Sequence, residues 1–374
     1  MLKNCKTWVE INQKSAAHNY RLFRSLLKPR VKLWAVVKSN AYGHGLEEFS
    51  KMMDSFGADG FCVDEIIEGL KLRDAGITKP ILILGPTLPG FLKLAGKRDL
   101  TVTISSTFAL DNWIKSKIKP KFHFKIDTGM HRQGFYLKDL PPVIRKIRNL
   151  KLEIRNCLTG VYTHFASAKD LNYPTYTDLQ FKEFKKAISL LEKAGFRNFV
   201  RHASATGGTL MNPRYHLDAV RIGIGLHGLW PSKELEMQCH RVALRPVLSW
   251  HTYLSEIKNI QEGQFIGYDL IERVTRVGKM AVLPIGYWHG FPRNLSGMGE
   301  VLINGRRARV LGRISMDLIV VDITGISCKA GDRATIIGSQ RGKGISASEV
   351  AQKANTSHYE IVTRINPLID RIVV

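Results

Sequence analysis

The sequence is poor in cysteine and contains no paired cysteine motif. Its 374 residues include five cysteines, which lie far apart and form no CxxC pair. Disulfide frameworks and structural zinc sites both depend on cysteines at regular, close spacings, so neither is expected. An odd and scattered set of thiols instead suits a reducing compartment such as the cytosol.

Long hydrophobic runs are absent as well. No segment approaches the roughly 18 apolar residues of a membrane span, and the first residues, MLKNCKTWVEINQKS, lack the apolar core of a signal peptide. The hydrophobic share of 44% is nevertheless that of a globular protein, which excludes a disordered chain. We therefore expect a soluble, cytoplasmic protein with one or two substantial domains and no membrane contact.

Acidic residues are few compared with basic ones. Asp and Glu number 32 against 56 Lys and Arg, which gives a formal net charge of +24. A positive field attracts nucleic acid, anionic membranes and anionic metabolites. However, the basic residues are spread along the chain without a block of five, and no RNP, zinc-finger or basic-zipper pattern is present. A nucleic-acid-binding barrel is therefore the non-enzyme alternative, while solubility is the simpler explanation and we expect no nucleic-acid partner.

The first part of the chain repeats one pattern, in which a short apolar run is followed by a turn and an amphipathic helix. The runs are rich in β-branched and aromatic residues and too short to be helices. They are KLWAVVK (32–38), GFCVD (60–64), ILILGP (81–86), TVTIS (101–105), FHFKID (122–127), LTGVYTHF (158–165), FVRHASA (199–205) and VRIGIGLHG (220–228). Beyond about residue 240, short runs closed by Gly or Asp are typical of all-β structure. We predict an α/β fold: a (β/α)8 TIM-type barrel over 1–237, followed by a smaller, mostly-β domain over 238–374.

Several common catalytic motifs are missing. The absence of HExxH, GxSxG and GxxxxGK[ST] leaves metal hydrolysis, a nucleophile elbow and a P-loop without support. GIGLHG at 223–228 fits GxGxxG, but neither an evident helix nor an acidic residue about 20 positions on follows it. It is better interpreted as a glycine turn whose backbone N–H groups hold a phosphate, or as a structural tight turn.

Polar residues follow several of the predicted barrel strands, where barrel enzymes place their chemistry. Lys38 ends a buried apolar strand, where desolvation makes an amine a nucleophile or a base; a lone lysine there more often snorkels to solvent. Arg132 and Thr206 follow other strands. His164 alone would more often be a structural core histidine. Arg221 lies within an apolar strand, and its buried guanidinium requires a partner, which a ligand or His164 could supply.

Taken together, seven segments resemble the alanine racemase family, the pyridoxal 5'-phosphate (PLP) isomerases of fold-type III with a barrel and a β domain. In chain order they are AVVKSNAYGHG, KIDTGMHRQGF, THFASAKD, VRIGIGLHGLWPS, PIGYWHGFPR, LGRISMDLIVVD and HYEIVTRINPLIDR. The resemblance covers nearly the whole chain, and the lysine segment is highly specific. It implies that the protein interconverts L-alanine and D-alanine and supplies D-alanine for cell-wall peptidoglycan.

The resemblance also implies roles for individual residues. Lys38 would hold PLP and act as the base on one face of the substrate's α-carbon, with Tyr268 as the base on the other face. Tyr268 and Met316 would reach the site of the partner subunit, so a homodimer with shared active sites is expected. Arg132 would bind the substrate carboxylate, and Lys125 matches a lysine that is carbamylated in many members. Besides Lys38, the implied cofactor-binding residues are Tyr42, His164, Thr206, Arg221, Gly223, Ile224 and Tyr359, with Arg221 bonding the pyridine nitrogen and His164 supporting Arg221.

Some positions depart from the usual family pattern, and none of them is a proposed base. His289 stands in place of an aspartate, Asp269 in place of a glycine, and His227 in place of a tyrosine. Ala205 and Ser315 differ from the usual asparagine and cysteine. These departures leave a racemase of broader or different specificity, for serine or basic amino acids, as the alternative. A PLP decarboxylase is disfavoured because its usual phosphate motifs are missing, and the predicted β domain excludes a lone PLP-binding barrel.

Overall fold

A computed structural model describes residues 5–170, 173–240 and 242–374. The chain divides into two compact units. The barrel unit comprises Ser15–Ala41 and Phe49–Arg245, and the sheet unit comprises Met1–Lys14, Tyr42–Glu48 and Pro246–Val374. Each unit has its own core and is described separately below.

Eight parallel strands of the barrel unit close into a barrel, which confirms the predicted fold class. Neighbours along the chain are neighbours in the barrel, and β2 pairs with β9 to close the ring. The strands are β2 (Lys32–Val36), β3 (Gly60–Val63), β4 (Ile81–Ile83), β5 (Leu100–Ile104), β6 (Phe122–Lys125), β7 (Leu158–Tyr162), β8 (Val200–His202) and β9 (Ala219–Ile222). Each of them lies within or beside one of the predicted apolar runs.

Helices follow the strands, as the alternating pattern predicts. They are α1 (Gln13–Ser25), α3 (Leu46–Phe56), α4 (Ile66–Asp74), α5 (Leu92–Lys97), α6 (Thr107–Lys115), α7 (Leu140–Arg148), α8 (Leu152–Arg155), α9 (Pro174–Lys193), α10 (Thr206–Met211) and α11 (Lys233–Gln238), with one left-handed turn, α2 (Lys38–Tyr42). In α9, Phe181, Phe184 and Leu191 are buried at helical spacing. Pro174 occupies the first turn, and Gly195 follows the helix with a φ of +89°.

The sheet unit is built around a ten-stranded sheet and also contains two helices. Its strands are β1 (Thr7–Ile11), β10 (Leu248–Tyr253), β11 (Glu256–Ile260), β12 (Phe265–Ile266), β13 (Glu272–Arg273), β14 (Gly278–Leu283), β15 (Glu300–Ile303), β16 (Arg306–Leu311), β17 (Ile319–Asp322), β18 (Arg333–Gln340), β19 (Lys343–Ile345) and β20 (Asp370–Val373). The short strands β12 and β13 pair separately. The helices are α12 (Ala347–Lys353) and α13 (His358–Thr363). β1 pairs with β10 and β20, so the predicted ranges 1–237 and 238–374 do not foresee that the N-terminal strand belongs to this sheet.

Within the described residues, no disulfide joins the five cysteines. The same residues contain no group of three or more His, Cys, Asp or Glu placed to hold a metal ion. None of the described helices combines the length and the apolar character needed to cross a membrane.

Candidate active site

Lys38 begins a left-handed turn just beyond the end of β2. Ser39, Asn40 and Ala41 have φ values of 56°, 56° and 51°, although none of them is glycine. Left-handed backbone costs about 1–2 kcal/mol per non-glycine residue, so other contacts must hold the turn. The Glu68 carboxylate accepts hydrogen bonds from the N–H groups of Ser39, at 2.6 Å, and Asn40, at 3.3 Å. Glu68 on α4 therefore fixes the backbone that presents Lys38.

The amine of Lys38 lies at the rim of the barrel and not in its core. Its Nζ donates to Oδ1 of Asp64 at 3.1 Å, and the Lys38 side chain is 37% exposed. Asp64 follows β3, and its own N–H donates to Glu68 at 2.9 Å. The register of β2 against β9 pairs Ala35 with Ile222. The residues that follow each strand, Lys38 on one side and the 223–228 turn on the other, therefore emerge at the same end of adjacent strands.

Arg221 points into the barrel and binds His202, whereas the sequence suggested a ligand or His164 as its partner. Its Nη1 donates to Nδ1 of His202 at 2.5 Å, and its Nη2 donates to the carbonyls of Thr163 and Ala203 at 2.7 and 3.0 Å. Since Nδ1 of His202 accepts, its Nε2–H must donate to Nδ1 of His123, which lies 2.9 Å away. The contacts thus define both histidine tautomers and a hydrogen-bonded series from Arg221 through His202 to His123.

Aromatic rings hold this series in place. The Tyr162 ring stacks on His202 with centroids 4.9 Å apart, and Trp34 lies 5.0 Å from His202 and 5.5 Å from His123. Arg221 is 2% exposed, and burial lowers its pKa. Among the described residues, no carboxylate forms an ion pair with it. The partners of the Arg221 guanidinium are a neutral histidine and two carbonyls, so its positive charge is not neutralised by them. It can therefore bind an acceptor group at this end of the barrel.

Lys125 is a buried lysine among other cations. Its Nζ donates to Oε1 of Gln133 at 2.9 Å. Burial, followed by the positive charges of Arg132 and Arg221, lowers the pKa of Lys125 to about 8. A substantial fraction of its amine is therefore neutral near physiological pH, which is the form that can act as a nucleophile.

Arg132 lies on a loop that is organised by Asp127. The Asp127 carboxylate accepts the N–H groups of residues 129, 130 and 131 on Oδ1 and that of Arg132 on Oδ2, all at 2.9–3.0 Å. Burial by itself raises the pKa of Asp127, but the four N–H groups outweigh burial and hold the pKa below its usual range. Asp127 was not a predicted site residue, yet it fixes the backbone that carries Arg132, whose side chain is exposed.

His164 lies two residues beyond β7. Burial, followed by the charges of Arg221 and Arg132, lowers the pKa of His164 to about 3. It is therefore neutral at physiological pH. The same cations, together with Lys38, lower the pKa values of both His164 and Lys125, so the carboxyl end of the barrel has an excess of positive charge.

The segment 223–228 forms a series of tight turns, as predicted, and no helix follows it until Lys233. The N–H of Gly225 donates to Oγ1 of Thr206 at 3.3 Å. A Cβ at Gly225 would lie 2.4 Å from the Phe23 ring and 2.7 Å from the Thr206 methyl group, so this position requires glycine. His227, one of the departures from the family pattern, is buried and packs on Phe49 at a centroid distance of 4.2 Å.

The sheet unit contains the remaining predicted residues. The rings of Tyr42 and Tyr359 lie 6.2 Å apart, and burial raises the pKa of Tyr359 to about 12. Tyr268 and Met316 are 68% and 52% exposed, respectively. Asp269 has a φ of +62°, the left-handed conformation that explains why glycine is common at this position.

Ion pairing and backbone bonding accommodate the departures from the family pattern in the sheet unit. The carboxylate of Asp269 pairs with Nε of Arg313 at 2.7 Å. Nδ1 of His289 accepts the N–H of Gly286 at 3.1 Å, a role that an aspartate oxygen could also fill. Both side chains therefore have a hydrogen-bonding partner within the sheet unit.

Comparisons with known proteins agree with this architecture. Residues 11–231 match the family model "Alanine racemase, N-terminal domain", and residues 247–373 match "Alanine racemase, C-terminal domain". An alanine racemase of Leptospira interrogans is 35% identical over 98% of this chain and 96% of its own length. One from Methanococcus maripaludis is 38% identical over 98% of both chains. The crystal structure of alanine racemase from Bacillus anthracis with bound L-Ala-P has a TM-score of 0.92 and 34% identity, covering 100% of this chain and 96% of that chain. This chain therefore belongs to the alanine racemase family.

Proposed function

We propose that this chain interconverts L-alanine and D-alanine with Lys38 and Tyr268 as bases on opposite faces of the substrate's α-carbon. Racemisation requires that the α-proton leaves on one side and a proton returns on the other, which two opposed bases can accomplish. The observation that carries the proposal is the position of Lys38, which is held at the carboxyl end of a barrel strand by Asp64 and the Glu68-bound turn. The alternative specificities for serine or basic amino acids gain no support from the relatives described above.

Membership of the family implies PLP as cofactor, and the chemistry of the barrel residues fits it. Lys38, Lys125, Arg132 and Arg221 surround one end of the barrel, and Arg221 has no carboxylate partner among the described residues. Such a cation-rich site suits a phosphorylated, multiply anionic cofactor. When bound, PLP supplies an electron sink for the negative charge that develops at the α-carbon.

We assign the cofactor-binding residues from the family resemblance and their local chemistry. Arg221 would donate to the pyridine nitrogen, and because a guanidinium does not give up its proton readily, this nitrogen would stay unprotonated. That arrangement limits delocalisation into the ring and disfavours side reactions such as transamination. The other proposed cofactor-binding residues are Lys38, Tyr42, His164, Thr206, Gly223, Ile224 and Tyr359.

In this proposal, Arg132 binds the substrate. Its guanidinium would pair with the substrate carboxylate, and the Asp127 loop would set its position. Lys125, as the free amine or as a carbamate, would orient Arg132, and Met316 would lie near the same carboxylate. We also propose that the reaction takes place in the cytoplasm and supplies D-alanine for peptidoglycan.

We further propose that Tyr268 and Met316 act in the site of a partner subunit. Both side chains are more than half exposed on their own subunit, which leaves them available to another copy of the chain. The resulting homodimer would have two sites, each built from the barrel of one subunit and the tyrosine of the other.

Mixing two inactive variants tests this arrangement. Lys38→Ala and Tyr268→Phe proteins are co-expressed, and the mixed dimers are purified by two affinity tags. If each site takes Lys38 and Tyr268 from different subunits, a mixed dimer has one intact site and regains racemase activity. A mixed dimer of Lys38→Ala and Arg221→Ala, both altered in the barrel, should stay inactive and serves as the control. Equal inactivity of both mixed dimers would contradict the shared site.

A further inference from the structure

The barrel unit contains most of the positive charge excess of the chain, and one group of basic residues lies at the end of the barrel opposite the catalytic end. In a (β/α)8 barrel, the loops that run from a helix to the next strand all lie at the amino end of the strands, opposite the catalytic end. We define the basic strip as six residues of adjacent segments before β6, β7 and β8: Lys117, Lys119, Lys121, Lys151, Arg155 and Arg197.

Direct contacts connect the segments of the basic strip. The N–H of Phe122, next to Lys121, donates to the carbonyl of Cys157 at 2.8 Å, which joins the segments before β6 and β7. The Arg155 guanidinium lies 5.4 Å from the ring of Phe196, next to Arg197, which joins the segments before β7 and β8. Residues that are scattered in the sequence are therefore neighbours at one barrel end.

Few acidic residues oppose this charge. The strip's own segments contain one carboxylate, the exposed Glu153. In the adjoining segments before β5 and β9, Asp99 pairs with Lys121 at 3.1 Å and Asp218 pairs with Arg201 at 2.6 Å. Lys117, Lys151 and Arg197 are exposed, and their side chains make no ion pair with any residue of the described chain. The catalytic end is also rich in cations, but its lysines and arginines surround the proposed cofactor site, whereas the strip lies at the opposite end of the barrel.

Apolar side chains accompany the lysines. Leu152 is 64% exposed beside Lys151, and Ile118 is 37% exposed between Lys117 and Lys119. Phe196, the aromatic residue next to Arg197, is buried, so the strip offers no aromatic platform on which nucleic-acid bases could stack. The strip also has more lysines than arginines. Arginine is the residue that typically forms paired hydrogen bonds with nucleic-acid bases, whereas lysine is a hydrated point charge.

We propose that the basic strip binds an anionic lipid bilayer, with the lysines and arginines at the headgroups and Leu152 at the boundary with the acyl chains. Each basic residue near an anionic membrane strengthens binding about fivefold at low salt, and an exposed aliphatic side chain adds a contribution that salt does not screen. This proposal does not depend on the racemase reaction, because the strip lies at the end of the barrel opposite Lys38. It revises the expectation of no membrane contact, which rested on the absence of long apolar runs and of blocks of basic residues in the sequence.

The test is co-sedimentation of the cofactor-loaded protein with vesicles of equal phosphatidylglycerol and phosphatidylcholine, compared with phosphatidylcholine alone. We expect binding to the anionic vesicles only, with the affinity falling as salt rises toward about 0.15 M. The triple variant Lys117→Gln, Lys151→Gln, Arg197→Gln should lose about a hundredfold in affinity at low salt. Leu152→Ser should weaken mainly the binding that remains at higher salt.

The matched control removes three exposed lysines of the sheet unit, in the variant Lys14→Gln, Lys329→Gln, Lys343→Gln. It has the same net charge as the strip variant and should bind vesicles within about threefold of the unaltered protein. Racemase activity without vesicles should be unchanged in every variant, which shows that each one folds. Equal losses in both triple variants, no binding to anionic vesicles, or tighter binding to duplex DNA than to vesicles at the same salt would each overturn the proposal.

Discussion

Nη1 of Arg221 donates a hydrogen bond to Nδ1 of His202 at 2.5 Å, and this contact determines how the barrel interior orients the guanidinium. The acceptor role of Nδ1 requires that His202 is neutral and that its Nε2–H donates to His123. Burial lowers the pKa of His202 far enough to keep that state. His202 is thus a positioning residue for Arg221.

Replacing His202 tests this role. His202→Phe leaves a guanidinium N–H unpaired, and the loss of a hydrogen bond to a charged group costs about 1.5–3 kcal/mol. We expect kcat/KM for L-alanine to fall about 10- to 100-fold, with a shift in the visible absorbance of bound PLP. His202→Asn, whose Oδ1 can accept in place of Nδ1, should retain most of the activity and the original absorbance. Equal losses in the two variants would show that ring packing, and not the acceptor, matters.

Glu68 provides a second test, since it binds the N–H groups of Ser39, Asn40 and Asp64. Glu68→Ala leaves these donors without their acceptor and releases a strained left-handed turn. We expect the free energy of unfolding to drop by about 1–3 kcal/mol and PLP to dissociate faster, because Lys38 loses its fixed position. Glu68→Gln retains one acceptor oxygen, so its free energy of unfolding and its rate of PLP loss should lie between those of the unaltered protein and those of Glu68→Ala. Unfolding by urea and the rate of PLP loss on dilution measure these effects, and unchanged PLP retention in Glu68→Ala would contradict the assignment.

The buried histidines make stability dependent on pH. Burial, with Arg221 adding to it, lowers the pKa values of His123 and His164 to about 3, from 6.5 in the unfolded chain. Below pH 6.5 these histidines bind protons in the unfolded state but not in the folded state. Acid therefore favours unfolding until the pH reaches the pKa of the folded state. The free energy of unfolding should therefore fall as pH decreases from about 6.5 toward 3, on the order of 1.4 kcal/mol per pH unit for each such histidine.

Urea unfolding across this range checks the expectation. His123→Gln should make the decline shallower, because one proton fewer is bound on unfolding. His131→Gln, at an exposed histidine of the same unit, should leave the slope unchanged. If the free energy of unfolding of His123→Gln falls with pH as steeply as that of His131→Gln and of the unaltered protein, His123 is not held in the neutral form in the folded state.

Lys125 should react with carbon dioxide. Because burial and the neighbouring cations lower its pKa to about 8, its neutral amine can attack the carbon of CO2, forming an N–C bond and releasing a proton to solvent. In buffer with ¹³C-bicarbonate, we expect a carbamate carbonyl resonance that decreases as pH falls below about 8, where the amine becomes protonated. The resonance should disappear in Lys125→Ala and persist in Lys138→Ala, an exposed lysine nearby in the sequence. A resonance that survives in Lys125→Ala would come from another amine.

The barrel was accessible from sequence because its strands are short apolar runs separated by helices, and each run corresponds to an observed strand. Lys38 and the 223–228 turn were recognisable because they are polar or glycine-rich breaks at the ends of such runs, and Arg221 because it is a charged residue within one. The N-terminal strand Thr7–Ile11 was not assigned to the sheet, because its partners lie more than 200 residues away and nothing in its composition distinguishes it from a barrel strand.

The contacts of the site were harder to foresee. His202 and His123 are 79 residues apart, and their rings meet because β6 and β8 both pair with β7. Alternation along β8 places His202 on the inward side, a signal that could have suggested it as a partner of Arg221. The left-handed turn at Ser39–Ala41 contains no glycine, so neither the turn nor the role of Glu68 had a recognisable signature.

The most direct test of the two-base reaction is exchange of the α-proton in D2O, followed by NMR for L-alanine and D-alanine separately, with the Tyr268→Phe protein loaded with PLP. The account predicts that the variant keeps its bound cofactor and exchanges the α-proton of one enantiomer, the one whose proton faces Lys38, without converting it to the other. The unaltered protein should exchange and interconvert both. Exchange and racemisation of both enantiomers by Tyr268→Phe at the rate of the unaltered protein would contradict the account.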